Sequence, residues 1–157
     1  MKLGTKQDIE APIAFVYDVL VDFEGWERAA MRRGADVMRS DTLRVAGPGM
    51  GWNVQFAFRG KTRKMAIKLV KLDRPQHLAF SGLGSALDGA LDMELVELGA
   101  KRTRVTVVTE VKPRTLAARI LVQSAKLAKG KISKKYAGRV ALVAADIEDR
   151  YKRSLRG

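Results

Sequence analysis

At Pro113 the hydrophobic rhythm of the chain changes from a period of two to a period near 3.6, and it does not change back. From Met50 to that point apolar residues alternate with polar ones, as they must where successive side chains point to opposite faces of a sheet. After it, Leu121, Ala125, Ala128, Ile132, Tyr136, Val140, Val143, Ile147 and Tyr151 recur at intervals of three or four, which stacks them along one face of a helix. Half-apolar strands followed by one long apolar helix stripe can hide both surfaces only by bringing them together. The expected fold is therefore α+β, with helices segregated to one side of a curved antiparallel sheet that wraps a long C-terminal helix.

The strands can be read individually. Met50, Trp52, Val54, Phe56 and Phe58 share one face, against Gly51, Asn53, Gln55, Ala57 and Arg59 on the other. Met65, Ile67 and Leu69 repeat the pattern between lysines, and Leu78 and Phe80 follow the turn Asp73-Arg74-Pro75-Gln76. Leu87, Leu91, Met93 and Leu95 alternate with acidic residues, and Val105, Val107 and Val111 close the series. Links at Gly60-Lys61 and Gly99-Ala100-Lys101 suit hairpins, so the sheet reads as a meander, with one further strand expected around Val37 to Val45. Near the N-terminus a strand from Leu3 to Ile9 precedes two short helices. Pro12 opens the first, which carries Ile13, Val16, Tyr17, Leu20 and Val21 on one stripe; the second, about Glu24 to Arg33, ends at Gly34. In the long helix, Gly130 and Gly138 each cost about 1 kcal/mol relative to alanine, so a bend or fray is expected there.

A chain of 157 residues with 46% hydrophobic and 30% charged content has the apolar surface to fold as one domain over residues 1–157. Its longest wholly apolar run, Val140 to Ala145, is far short of the roughly 20 residues that span a bilayer. A polar run, Thr5-Lys6-Gln7-Asp8, begins soon after Met1, so no signal-peptide core is read, and the cytoplasm is the expected location. The formal net charge of +13 is unevenly placed: residues 112–157 hold 13 Lys/Arg against 3 Asp/Glu.

Several segments resemble the START/Bet v 1-like (SRPBCC) superfamily, in particular its bacterial polyketide cyclase/dehydrase and lipid-transport group. Asp8-Ile9-Glu10-Ala11-Pro12, running through Val16-Tyr17-Asp18-Val19-Leu20-Val21-Asp22-Phe23 to Trp26, is similar to that family's first strand, helix pair and aromatic corner. Arg74 to Gly82 resembles its turn into the mid-sheet strand, and Thr103-Arg104-Val105-Thr106-Val107 its last strand. Many relatives carry a proline after the tryptophan, where this chain has Glu27. The resemblance covers essentially the whole chain and implies a helix-grip fold with a cavity for a small hydrophobic ligand.

The residues themselves exclude much chemistry. With one histidine and no cysteine, a zinc site of His and Cys ligands cannot be assembled. His77 lacks a nucleophile-elbow motif nearby, so no triad is read, and no catalytic, metal or cofactor-binding residue is assigned. What remains is a candidate ligand site: Trp52, Phe56, Phe58, Met65, Ile67, Phe80, Leu91 and Met93 from the inward sheet face, with Leu121 and Ala128 from the helix stripe. Thr5, Gln7 and Arg39 are the polar candidates on that side. An arginine there needs a carboxylate, so Arg39 either reaches solvent or meets an acidic ligand head.

The leading expectation is binding, with transport as an extension, of a small hydrophobic or lipid-like molecule. One alternative is a cyclase- or aromatase-type enzyme in which Gln7, Arg39 or His77 supplies polar help. Another is recruitment to an anionic membrane surface or acidic protein through the lysine-rich helix. Nucleic acid is disfavoured, because aromatic content is 6% and the basic positions are not interleaved with stacking residues.

Overall fold

The computed structural model describes all residues 1–157. Strand β1 (Lys2–Ile9) leads into helices α1 (Ile13–Leu20) and α2 (Phe23–Arg32), followed by β2 (Asp36–Arg39), β3 (Gly51–Phe58), β4 (Lys61–Asp73), β5 (His77–Gly84), β6 (Leu87–Gly99) and β7 (Arg102–Pro113). Helices α3 (Leu116–Leu127) and α4 (Lys129–Ser154) complete the chain. All seven strands form one antiparallel sheet in the order β1-β7-β6-β5-β4-β3-β2. Hairpins make every neighbour except β1, which crosses to pair with β7 from Lys2↔Glu110 to Ile9↔Thr103.

Local chemistry sets the boundaries. Asp22 caps α2 by accepting from the Gly25 amide at 3.2 Å, and Thr115 caps α3 by accepting from the Ala118 amide at 3.1 Å. Helix α2 ends in a Schellman motif: the Gly34 amide donates to Met31 O and the Ala35 amide to Ala30 O, with Gly34 at φ +95°. The β3–β4 hairpin turns on Arg59 and Gly60, whose φ values of 51° and 73° are those of a two-residue type I′ turn.

Two expectations need correction. The long helix is two helices, and the break falls at Ala128 (φ −106°, ψ 23°), not at Gly130 or Gly138. Gly138 lies inside α4 on an exposed face, where its missing side chain leaves the backbone ladder intact. The strand expected from Val37 to Val45 stops at Arg39, because Asp41 turns the chain back onto its own backbone, as detailed below.

The core is concentrated at one end of the sheet. Val16, Tyr17 and Leu20 of α1 pack with Ile9, Leu69, Leu78, Leu95, Val105 and the α4 residues Ala144 and Ile147. Phe15 and Tyr151 meet edge to face at 5.2 Å between ring centroids, joining α1 to the C-terminal part of α4. The buried Thr103 hydroxyl donates to Ala11 O at 2.8 Å and locks the β1–α1 corner onto β7. No helix is long and apolar enough to cross a membrane.

Candidate functional site

Beyond that solid end, sheet and helices separate around a cavity of about 580 Å³. A volume in this range is typical of small-molecule sites. Its walls come from β1 through β7, from α1 and α2 on one side, and from Val140, Val143, Ala144 and Ile147 of α4 on the other. Of the 27 lining residues 21 are hydrophobic; the remaining six are Gln7, Glu27, Ser81, Thr109 and the glycines Gly82 and Gly89.

Those glycines are cross-strand partners, at inward positions two residues beyond Phe80 and two before Leu91. Alternation would place a side chain at each; over Gly82 that space is taken by Met65, whose Sδ a Cβ would meet at 3.0 Å, whereas at Gly89 the sheet backbone is bared to the cavity. A Cβ at Gly89 would meet only Glu110 O, at 3.7 Å, so the space above it is open.

Trp52 forms the most firmly held wall. Its ring packs on Phe23 at 5.4 Å and on Phe80 at 6.3 Å, and its indole N–H donates to Glu27 Oε2 at 3.2 Å. The Arg39 guanidinium lies 5.9 Å from the ring centroid. Arg39 is itself fixed by Asp41, whose carboxylate accepts from Arg39 Nε (2.9 Å) and Nη2 (2.6 Å), from the Gly51 amide (2.8 Å) and from the Leu43 amide (2.9 Å). These donors, the guanidinium foremost, hold the Asp41 carboxyl well below the usual carboxylate range. The clamp ties the β2–β3 loop to the residue beside Trp52.

The cavity is short of chemistry. Glu27 is the one lining side chain that ionises, and it is engaged by Trp52. The Thr109 hydroxyl is shared with the Tyr136 hydroxyl of α4 at 2.8 Å. The Gln7 carboxamide and the Ser81 hydroxyl are left without a side-chain hydrogen bond.

The candidate residues divide clearly. Trp52, Met65, Ile67, Phe80, Leu91 and Met93 line the cavity, as does Gln7. Phe56 and Phe58 do not: they share the inward face of β3, but the β3–β4 hairpin runs past the cavity and leaves Phe58 48% exposed. Arg63, paired with Phe56 beyond Met65, has a buried Nε with no hydrogen-bond partner. Leu121 belongs to α3, which packs on β7 and α4 and contributes no lining residue, and Ala128 is exposed at the break. Arg39 is spent on Asp41 and reaches no ligand site. Thr5 is half-buried on β1 and is not part of the lining. His77 points to the opposite face of the sheet, bonded to Asp92 at 2.7 Å.

Sequence reasoning passed over Glu27, Phe23 and Ala30, and the paired glycines. Phe23, Trp26, Glu27 and Ala30 follow helical three-and-four spacing, so α2 did carry a readable signal. A carboxylate on an otherwise apolar helix face was the anomaly to notice.

A curved seven-strand sheet gripping a C-terminal helical segment defines a helix-grip protein. No family model and no curated protein matches the chain. Solved structures do match. The Zhui aromatase/cyclase of a Streptomyces species superposes with a TM-score of 0.67 at 15% identity, covering 96% of this chain and 94% of that one. A Thermus thermophilus protein gives 0.67 at 15% identity, covering 98% and 99% of the two chains. A START superfamily protein from Mycobacterium smegmatis gives 0.61 at 12% identity, covering 90% and 98%. The fold is the START/Bet v 1-like helix-grip fold, as the resemblance in sequence implied.

Proposed function

We propose that the protein binds a small, predominantly hydrophobic or lipid-like molecule in this cavity and carries it between sites. The observation that supports this reading is the cavity's composition at its size: about 580 Å³ with 21 hydrophobic residues among 27. Open apolar space on this scale forfeits dispersion contacts that close packing would supply, and a guest restores them. With Glu27 and Thr109 engaged by protein partners, the ligand is expected to make few hydrogen bonds, Gln7 and Ser81 being the groups free to offer them.

Mild purification followed by native mass spectrometry tests the reading. A co-purifying mass, or saturable uptake of an apolar fluorophore that shifts the emission of Trp26 and Trp52, is the expected result. Absence of both would sink it. A second reading, catalysis of the cyclase or aromatase type, draws on Glu27 as an ionisable group at the wall and on the name of the Streptomyces structure. It differs in outcome: an enzyme returns the bound molecule chemically altered, a carrier returns it unchanged.

A further inference from the structure

Helix α3 is apolar on two opposite faces. Ala118 and Val122 are buried against the body of the protein, with Leu121 and Ala125 half-buried beside them. At 100° per residue, Leu116, Ile120 and Leu127 fall within about 40° of one another at the opposite pole. They point straight outward, and they are 74%, 61% and 92% exposed. Solvation does not call for three large aliphatic side chains along the outer ridge of one short helix, and nothing in the fold covers them.

The charge around this ridge is of one sign. From Arg114 to Arg139 the chain holds eight Lys/Arg and no Asp/Glu. Arg114 reaches Asp88 at 3.5 Å, but the seven from Arg119 to Arg139 are all exposed and none makes an ion pair. Five lysines fall between Lys126 and Lys135, a stretch of helix only about 14 Å long, straddling the break at Ala128 and flanking Leu127.

We infer that α3 and the basic segment that follows it dock on an anionic lipid bilayer, with Leu116, Ile120 and Leu127 entering the headgroup and acyl boundary while the lysines and arginines meet the lipid phosphates and carboxylates. The shape decides for lipid over an acidic protein. A convex ridge offers no pocket or groove to a folded partner, whereas a bilayer interface accommodates protruding side chains. On one continuous helix the basic residues would be spread around the axis at many angles. With α3 ended at Ala128, the apolar ridge belongs to α3, and the lysines of early α4 need only lie beside it. Charge attraction and a modest apolar insertion are together the two signals that stable yet reversible membrane attachment requires. The docking surface does not depend on what the cavity holds.

Flotation of the full-length protein with vesicles tests this. Wild type is expected to float with vesicles of phosphatidylcholine containing about a third phosphatidylglycerol, to ignore pure phosphatidylcholine, and to release as salt rises. Each basic residue near the surface is worth about fivefold in partitioning, so K131E/K134E/K135E should weaken flotation by about 100-fold or more. L116S/I120S/L127S should weaken it at least about tenfold while leaving the thermal midpoint unchanged, since all three side chains are exposed in the free protein. The inference is overturned by wild-type flotation with neutral vesicles equal to that with anionic ones, or by no flotation with either. It is also overturned if the serine variant floats like wild type, if soluble polyglutamate is bound as tightly as the vesicles, or if light scattering shows a dimer that the serine substitutions abolish.

Discussion

Asp41 is the residue on which the rim of the cavity turns. Its carboxylate gathers four hydrogen bonds from Arg39, Gly51 and Leu43, closing the loop that delivers Trp52 to the wall. The native carboxyl is held low, first by the Arg39 hydrogen bond and then by the Gly51 amide, whereas an unfolded aspartate titrates near 3.9. A depressed native pKa adds stability that is complete above about pH 4 and is lost as pH falls toward the native value. D41N should therefore melt below wild type at neutral pH and show a shallower loss of thermal midpoint between about pH 4 and 2.5. Parallel melting curves for the two proteins across that range would refute the clamp. Asp8, lowered by Arg104, contributes in the same direction and remains in the variant, so the acid slope should be reduced and not abolished. The need for a partner at Arg39 was legible in the sequence, because a half-buried guanidinium requires an acid. That the acid is two residues away, and not on a ligand, depends on a loop geometry that alternation of apolar residues does not encode.

At the scale of elements, the sequence is informative wherever one periodicity holds against one environment. β3 through β7 read cleanly because each has one wet and one greasy face, and α2 stopped where Gly34 said it would. The C-terminal stripe misled because α3 and α4 both show three-and-four spacing while burying it against different surfaces. A continuous pattern of apolar positions does not report a kink between them. The division has a dynamic consequence. α3 buries little beyond Ala118 and Val122, whereas α4 inserts Ala144 and Ile147 into the main core. Local opening follows buried contact. Amide hydrogen exchange in α3 should be at least about tenfold faster than at Val143 to Ile147, and T115A, which removes the cap worth about 1 kcal/mol, should accelerate α3 selectively. Equal protection along both helices would mean that α3 is anchored by more than its buried face shows.

Across the whole molecule one end is filled and the other is hollow, and the sequence could not separate these. The same apolar alternation serves Leu69 and Leu78, which are fully buried in the core, and Ile67 and Phe80, which border open space. What makes the difference is subtraction at the inward position Gly89, whose cross-strand partner Gly82 is overlain by Met65, together with the placement of α4, which packs along β1. The hollow can therefore be refilled from the sheet without removing any native contact. Gly89 is the suitable site: its φ is not positive, and a Cβ there meets nothing nearer than 3.7 Å, whereas a Cβ at Gly84 would stand 2.8 Å from Leu87 O. In G89L the side chain leaves water for an apolar wall and a flexible strand glycine is lost, contributions of about 1.5–3 and 0.5–1 kcal/mol that both favour folding. The thermal midpoint should hold or rise while apolar ligand uptake falls at least about tenfold. Loss of uptake together with loss of stability would report a distorted sheet, and a stable variant that still binds would place the ligand somewhere other than the space above Gly89. Vesicle flotation by G89L should match wild type, because the docking ridge on α3 and the cavity share no residue.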